Sequence, residues 1–300
     1  MNETVQQIKS YLSFHPDIYD PDYDVIDLAK ESGYSRKLIQ YSSKSNDIIP
    51  AYLLEPENPN GLAVLIYHQH ASQWHLGKSE PAGLAGDPYN HFGPELAKRG
   101  YTVLCPDCIG FEDRRRIGSG TVRCHDTDGL QYYNAMTYRI AMGEYLITRI
   151  LDDYDTALNI LINHSFVTNS KLIALGHSFG GNTILFHAAL DNRIEHAIVS
   201  GSLCTVKTKI ENETGLELSL VIPGFYKHFD VDTLLACIAE RKVSIISGKN
   251  DPYSRDAKEV YDSKRHLWRD KNNMRIFEFE GGHNLDQERF DLILSFFEKR

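Results

Sequence analysis

Residues 171–181 read KLIALGHSFGG, and they decide the fold that we predict for the whole chain. The apolar run at the start is typical of a buried strand, and the apolar residues that follow the glycines indicate a helix. Gly-x-Ser-x-Gly lies between them, which is the strand–turn–helix context of a nucleophile elbow. Gly176 and Gly180 leave room where the sharp turn would crowd a Cβ, and the helix directs its positive end at the site. We therefore predict that Ser178 is a nucleophile.

A nucleophilic serine needs a histidine base and an acid that orients the base. In parallel sheets the functional groups gather beyond the carboxyl ends of strands, which selects Asp251 and His283 in the loops after the last two predicted strands. The chain order is then Ser, Asp, His, as in α/β-hydrolases. An Asx-turn at Asp251 and a plain loop position for His283 are the alternatives. Asp256 and Asp262 fall on a predicted helix and are expected to face solvent.

Apolar runs alternate with amphipathic stretches along the rest of the chain, which predicts an α/β fold with a mostly parallel, twisted sheet and helices on both faces. The first two predicted strands form a hairpin-like edge, and the helix predicted at 131–163 is broken near Gly143. The predicted strands are 37–41, 48–54, 62–67, 101–105, 171–175, 196–200, 243–247 and 274–280.

We expect one main domain, residues 36–300, preceded by an N-terminal helical cap segment at 1–35. Residues 201–230 interrupt the alternation, and we predict that they form an insertion over the site. Phe225 and Tyr226, in an apolar patch of that insertion, are predicted to be walls of the substrate pocket.

The oxyanion of an acyl-transfer reaction needs two hydrogen-bond donors, usually backbone N–H groups. One is expected from Phe179, directly after the nucleophile. The other is expected from the loop after strand 62–67, where His70 occupies the predicted donor position and Gln69 is the alternative.

Composition narrows the function classes. The 300-residue chain carries a net charge of −9 and no basic stripe, which argues against a nucleic-acid partner. The N-terminus has no secretory pattern, and no apolar run reaches membrane-spanning length. Five scattered cysteines suit a reduced, cytoplasmic protein. We expect no membrane partner, and the sequence leaves a homo-oligomer open.

Two groups of residues raise the question of a metal. Cys105 and Cys108 form Cys-x-x-Cys, and His68, His70 and His75 cluster in one loop. Neither group has the four ligands at workable spacing that a zinc site needs. We expect buried thiols and imidazoles bonded to neighbouring backbone, and a reaction without metal or organic cofactor.

From about residue 36 to its end the chain resembles the α/β-hydrolases, and within them the dienelactone-hydrolase-like and acetyl-xylan-esterase-like esterases. The resemblance rests on the loop HQHA at 68–71, the segment LAKRGYTVLCPD at 96–107, the elbow GHSFGG at 176–181, and FD…LLA at 229–236. Gln69 stands where the family usually has glycine. Dienelactone hydrolases proper use a cysteine nucleophile, so Ser178 favours the esterase branch.

The predicted function is that of a serine hydrolase acting on a small carboxylic ester through a triad of Ser178, Asp251 and His283. Arg114, in the charge run after strand 101–105, is the candidate for binding a substrate carboxylate, with a solvated charge run as the alternative. A serine peptidase of the prolyl-oligopeptidase type and a non-catalytic binding protein on a hydrolase fold are the other two function hypotheses.

Overall fold

A mixed nine-stranded sheet lies at the centre of the molecule, which we describe from a computed structural model covering residues 2–298. The strands are β1 Tyr23–Glu31, β2 Tyr34–Ser42, β3 Ile48–Pro56, β4 Ala63–Tyr67, β5 Thr102–Pro106, β6 Leu172–His177, β7 Ile194–Ser200, β8 Lys242–Gly248 and β9 Met274–Phe279. The helices are α1 Asn2–Leu12, α2 Phe92–Lys98, α3 Asp128–Ala141, α4 Leu146–Asn163, α5 Phe179–Leu190, α6 Val206–Glu211, α7 Val231–Cys237, α8 Ala257–Lys264 and α9 Gln287–Ser295.

The order of the strands explains where a site can form. It runs β1-β2-β3-β5-β4-β6-β7-β8-β9, with β1, β2, β3 and β5 paired antiparallel and all later neighbours parallel. The carboxyl ends of β4, β6, β7, β8 and β9 therefore meet at one edge of the sheet. The predicted α/β-hydrolase architecture is confirmed.

Helices cover both faces of the sheet, because the central strands are apolar on both sides. In β4, Leu65 and Tyr67 pack into the core that α1, α4, α5 and α7 cover, while Val64 and Ile66 pack into the core under α2 and α9. This pattern is typical of a parallel strand buried on two faces. No helix within residues 2–298 has the length and apolar character that crossing a bilayer demands.

The edge of the sheet differs from the prediction. The expected hairpin exists as β2 and β3, but β1 adds a further antiparallel strand outside it. The predicted helical cap segment, 1–35, is thus helical only in α1. Val25, Ile26 and Leu28 in β1 are half-exposed, and the register shifts between Val25 and Asp27. A bulged edge strand lacks the regular alternation by which a strand is recognised in a sequence.

A buried ionic cluster joins the loops that follow β4 and β5. The ammonium of Lys78, 1% exposed, lies 3.0 Å from Asp107 Oδ2 and also contacts Glu112 and Asp113. Burial opposes the charge on Lys78, but the adjacent carboxylates of Asp107 and Glu112 raise its pKa above the ordinary value. Glu112 also accepts the N–H groups of Gly77 and Ser79, so the cluster fixes both loops beside the site.

We predict that Lys78→Met lowers the free energy of unfolding by about 3–5 kcal/mol, because it leaves buried carboxylates without their cation. The matched control is Lys98→Met, whose side chain is 48% exposed and which should change stability by less than about 0.5 kcal/mol. Urea unfolding measures both. A Lys78→Met variant as stable as the control would show that the cluster does not stabilise the loops.

Candidate active site

The nucleophile elbow forms at the end of β6. Ser178 has φ 56° and ψ −117°, a strained conformation that non-glycine residues rarely adopt. A Cβ on Gly176 would lie 2.6 Å from the carbonyl carbon of Gly180, and one on Gly180 would lie 2.0 Å from the carbonyl oxygen of Tyr67. Both positions therefore require glycine, as predicted. The strain lifts the Ser178 side chain above the sheet edge at the start of α5.

The two predicted partners of Ser178 reach it from the neighbouring strand ends. The hydroxyl of Ser178 and Nε2 of His283 are 2.8 Å apart, and Nδ1 of His283 lies 3.0 Å from Oδ1 of Asp251. His283 follows β9 and Asp251 follows β8, so the strand order brings three distant parts of the chain together. Asp251 is buried, whereas the side chain of His283 is 20% exposed. The structure places all three residues in the geometry of a Ser-His-Asp triad.

Asp251 is held by more than its histidine. Its carboxylate accepts the N–H of Tyr253 at 2.9 Å and the hydroxyl of Ser254. Burial by itself would raise the pKa of Asp251, but the hydrogen bonds from His283, Ser254 and Tyr253 keep it below the ordinary value. The carboxylate thus stays charged and oriented toward His283. Ser254 is not among the predicted site residues, although a serine three residues after the acid is typical of a turn in which its hydroxyl bonds to the carboxylate.

Two rings lie next to the imidazole of His283. The ring of His177 lies 4.9 Å from that of His283, and the ring of Tyr253 lies 4.7 Å from it. His177 is buried and its Nδ1 pairs with the hydroxyl of Ser200 at 2.9 Å. Burial lowers the pKa of His177 to about 3, so this neighbour is uncharged and does not compete as a base. His177 therefore packs at the elbow.

The loop after β4 lies against the first turn of α5, where the oxyanion donors were predicted. The ring of His70 packs against Trp74, Phe111, Tyr132 and Phe179, with ring centroids 5.0–6.5 Å apart. Burial lowers the pKa of His70 to about 4, so its ring is neutral near pH 7. The roles of the His70 and Phe179 N–H groups stay predictions.

Of the three histidines that raised the question of a metal, His68 and His70 bond to nearby backbone, whereas Nδ1 of His75 has no hydrogen-bond partner among the described residues. Nδ1 of His68 bonds to the backbone of Gln69 and Nε2 accepts the N–H of Cys108, as the packed-loop prediction requires. Cys105 and Cys108 are buried free thiols.

Among the described residues, two groups of side chains are spaced closely enough to bind a metal ion: Asp107, Glu112 and Asp113, and Asp155, His187 and Asp191. A basic side chain already contacts the carboxylates of each group, Lys78 in the first and Arg193 in the second. Because those cations already contact the carboxylates that would bind a metal, we assign no metal to either group.

Arg114 forms an ion pair inside the protein. Its Nη1 lies 2.6 Å from Oδ2 of Asp153 and donates to the carbonyl of Asp107, while Nη2 lies 3.6 Å from Asp47. Arg114 borders a cavity of about 510 Å³, yet a substrate carboxylate would have to displace Asp153 to form a bidentate pair. The prediction that Arg114 binds substrate therefore has no support in this geometry.

The predicted pocket walls also lie elsewhere. Phe225 is 0% exposed and packs on Tyr11, Phe186, Tyr226 and Phe229, so it belongs to the core. The hydroxyl of Tyr226 donates to the carbonyl of Leu220. Phe225 and Tyr226 thus anchor the segment 201–230 on the body of the protein, which is a correction to their predicted role. Another part of that segment, α6, reaches Tyr253, whose ring lies next to His283.

The buried carboxyl group of Glu80 forms hydrogen bonds within the loop after β4. Oε1 of Glu80 accepts the side-chain amide of Gln69 at 3.0 Å and the N–H of Asp87 at 3.1 Å. Burial raises the pKa of Glu80 from 4.5 to about 7, although both hydrogen bonds oppose that shift. The charged form is therefore destabilised in the folded protein.

This shift predicts how stability depends on pH. Between about pH 4.5 and 7 the folded state binds a proton that the unfolded state has lost, so Glu80 makes stability fall as pH rises. Glu80→Gln keeps the acceptor oxygen and removes the charge. The free energy of unfolding of the variant minus that of wild type should therefore be about 1–3 kcal/mol larger at pH 8 than at pH 5. Urea unfolding at both pH values measures this, and an equal difference at both would contradict it.

The fold and the triad geometry define a protein of the α/β-hydrolase class. More particularly, the chain belongs to the dienelactone hydrolase family, which it matches over residues 49–284. The protein YtaP of Bacillus subtilis (strain 168) is 29% identical over 212 residues, which span 67% of this chain and 65% of that relative.

Two solved structures share the fold. One, from Bacteroides fragilis NCTC 9343 and assigned as an acetyl xylan esterase, has a TM-score of 0.77 and 16% identity, covering 93% of this chain and 74% of that one. The other, acetyl xylan esterase 1 from Thermoanaerobacterium sp. JW/SL YS485, has a TM-score of 0.65 and 16% identity, covering 99% and 92%. At these identities the likeness shows the fold alone.

Proposed function

We propose that the protein is a serine hydrolase that cleaves a small carboxylic ester through an acyl-enzyme intermediate. The observation that carries the proposal is the continuous line of hydrogen bonds from Ser178 through His283 to Asp251. A hydroxyl at 2.8 Å from an imidazole whose other nitrogen faces a buried carboxylate is arranged for nucleophilic attack.

The chemical steps follow from this arrangement. Nε2 of His283 takes the proton of Ser178 as its oxygen attacks the ester carbonyl, and Asp251 stabilises the resulting imidazolium. The N–H groups of Phe179 and His70 bind the oxyanion. Collapse of the tetrahedral intermediate breaks the ester bond, and His283 gives its proton to the leaving alcohol. Water, activated by His283, then attacks the acyl-enzyme and releases the acid.

We propose a short acyl group, with acetyl as the first choice. The rings of Trp74, Phe111 and Tyr132 pack around His70 beside the predicted oxyanion site, and we expect this aromatic cluster to favour a short acyl chain. Both structural neighbours are named as acetyl xylan esterases, which adds support for acetyl. The five free cysteines favour the cytoplasm as the place of the reaction.

Ser178→Ala should lower kcat by about 10⁴–10⁶ while the protein still folds, because the nucleophile is lost and the rest of the site remains. Hydrolysis of 4-nitrophenyl acetate measures the loss, and labelling by a fluorophosphonate should occur in wild type alone. Activity of the variant within tenfold of wild type would remove Ser178 from the mechanism. A wild-type protein that neither reacts with the probe nor cleaves esters would support the non-catalytic alternative.

Chain length and bond type test the proposed substrate class. The value of kcat/KM for 4-nitrophenyl acetate should exceed that for 4-nitrophenyl octanoate at least about tenfold, because the proposed acyl pocket beside the aromatic cluster is short. Aminoacyl 4-nitroanilides serve as the comparison for peptidase activity. Faster cleavage of octanoate would contradict the short acyl pocket, and cleavage of anilides without esterase activity would favour a peptidase.

A further inference from the structure

Lys209 is a buried cation beside the triad that the proposed mechanism does not use. It lies in the last turn of α6, in the segment 201–230, and is only 4% exposed. Its Nζ is 5.1 Å from the centre of the Tyr253 ring, and that ring lies 4.7 Å from the ring of His283. The ammonium therefore sits at the acid–base end of the triad.

The ammonium of Lys209 finds no ion pair or hydrogen bond among residues 2–298. The nearby acidic side chains, Asp256, Asp230 and Asp251, already accept hydrogen bonds from other groups. Their partners are the hydroxyls of Thr205 and Thr208 for Asp256, the N–H groups of Val206 and Val231 for Asp230, and His283 with Ser254 for Asp251.

Other deeply buried cations, in contrast to Lys209, have carboxylate partners. Lys78, Arg115 and Arg193 each contact at least one carboxylate. An unpaired buried charge is costly, and burial indeed lowers the pKa of Lys209. An anionic ligand beside Lys209 would remove this cost, since it would supply the partner that the protein does not.

The chemistry of the triad says which half of an ester Lys209 would meet. His283 must give its proton to the departing alcohol oxygen, so the alcohol half lies on the imidazole side of Ser178. Tyr253, which is 38% exposed, lies on that side, and the ammonium of Lys209 lies over its ring. We propose that Lys209 binds a carboxylate on the alcohol half of the substrate. The inference rests on the proposed function, because it places the anion relative to the triad.

A matched pair of acetyl esters tests this directly. The probes are 4-acetoxybenzoate, which carries a carboxylate on its alcohol half, and its neutral methyl ester. Lys209→Gln should lower the ratio of kcat/KM for the anionic over the neutral ester at least about tenfold, whereas Lys209→Arg should retain most of it. The control is Lys207→Gln on the same helix, 80% exposed, which should leave the ratio unchanged. An unchanged ratio in Lys209→Gln would overturn the proposal.

A second measurement does not depend on turnover or on the folding of Lys209→Gln. Equilibrium dialysis of 4-hydroxybenzoate against the Ser178→Ala variant should show binding that weakens as sodium chloride is raised, and methyl 4-hydroxybenzoate should bind more weakly at low salt. Equal binding of the two compounds would overturn the proposal for Lys209. Carboxylate-dependent binding without cleavage of either ester by wild type would support Lys209 and contradict the proposed hydrolase function.

Discussion

The close approach of α5 to β4 is the constraint on which the rest of the site depends. The backbone of Gly180 passes the carbonyl of Tyr67 so closely that a Cβ would lie 2.0 Å from its oxygen. Ser178, which has a positive φ, lies directly before this helix, and the start of α5 lies beside the loop that follows β4. Ser178, the helix N-terminus and the predicted oxyanion donors thus lie together where a helix packs directly against a neighbouring strand.

Around this elbow, several buried histidines are neutral, whereas His283 pairs with a charged carboxylate. Burial keeps His68, His70 and His177 uncharged near pH 7, with pKa values of about 4, 4 and 3. Asp251, in contrast, stays charged because three donors surround its carboxylate. His283 is the imidazole that contacts both Ser178 and a carboxylate. Lys209 adds a positive charge beside Tyr253, on the side where we propose that the alcohol leaves.

Much of this arrangement follows from local sequence signals. The buried strands have continuous apolar runs, and their loops place Asp251 and His283 at one sheet edge, so position alone selected both residues. The break near Gly143 separates α3 from α4 as expected. β1 escaped prediction because its apolar side chains are half-exposed and its register shifts. Arg114 and Phe225 were misplaced for another reason: their partners, Asp153 and Phe186, lie far away in sequence, and only the folded chain reveals those contacts.

The central claim is that the oxygen of Ser178 forms a covalent bond with the acyl group. Rapid acid quenching of the wild-type protein during turnover of 4-nitrophenyl acetate, followed by peptide mass spectrometry, tests this most directly. The account predicts one acetyl group on the peptide that contains Ser178, formed at the rate of the initial burst of 4-nitrophenol. Steady turnover with no acyl group on that peptide, or with the acyl group on another residue, would contradict it.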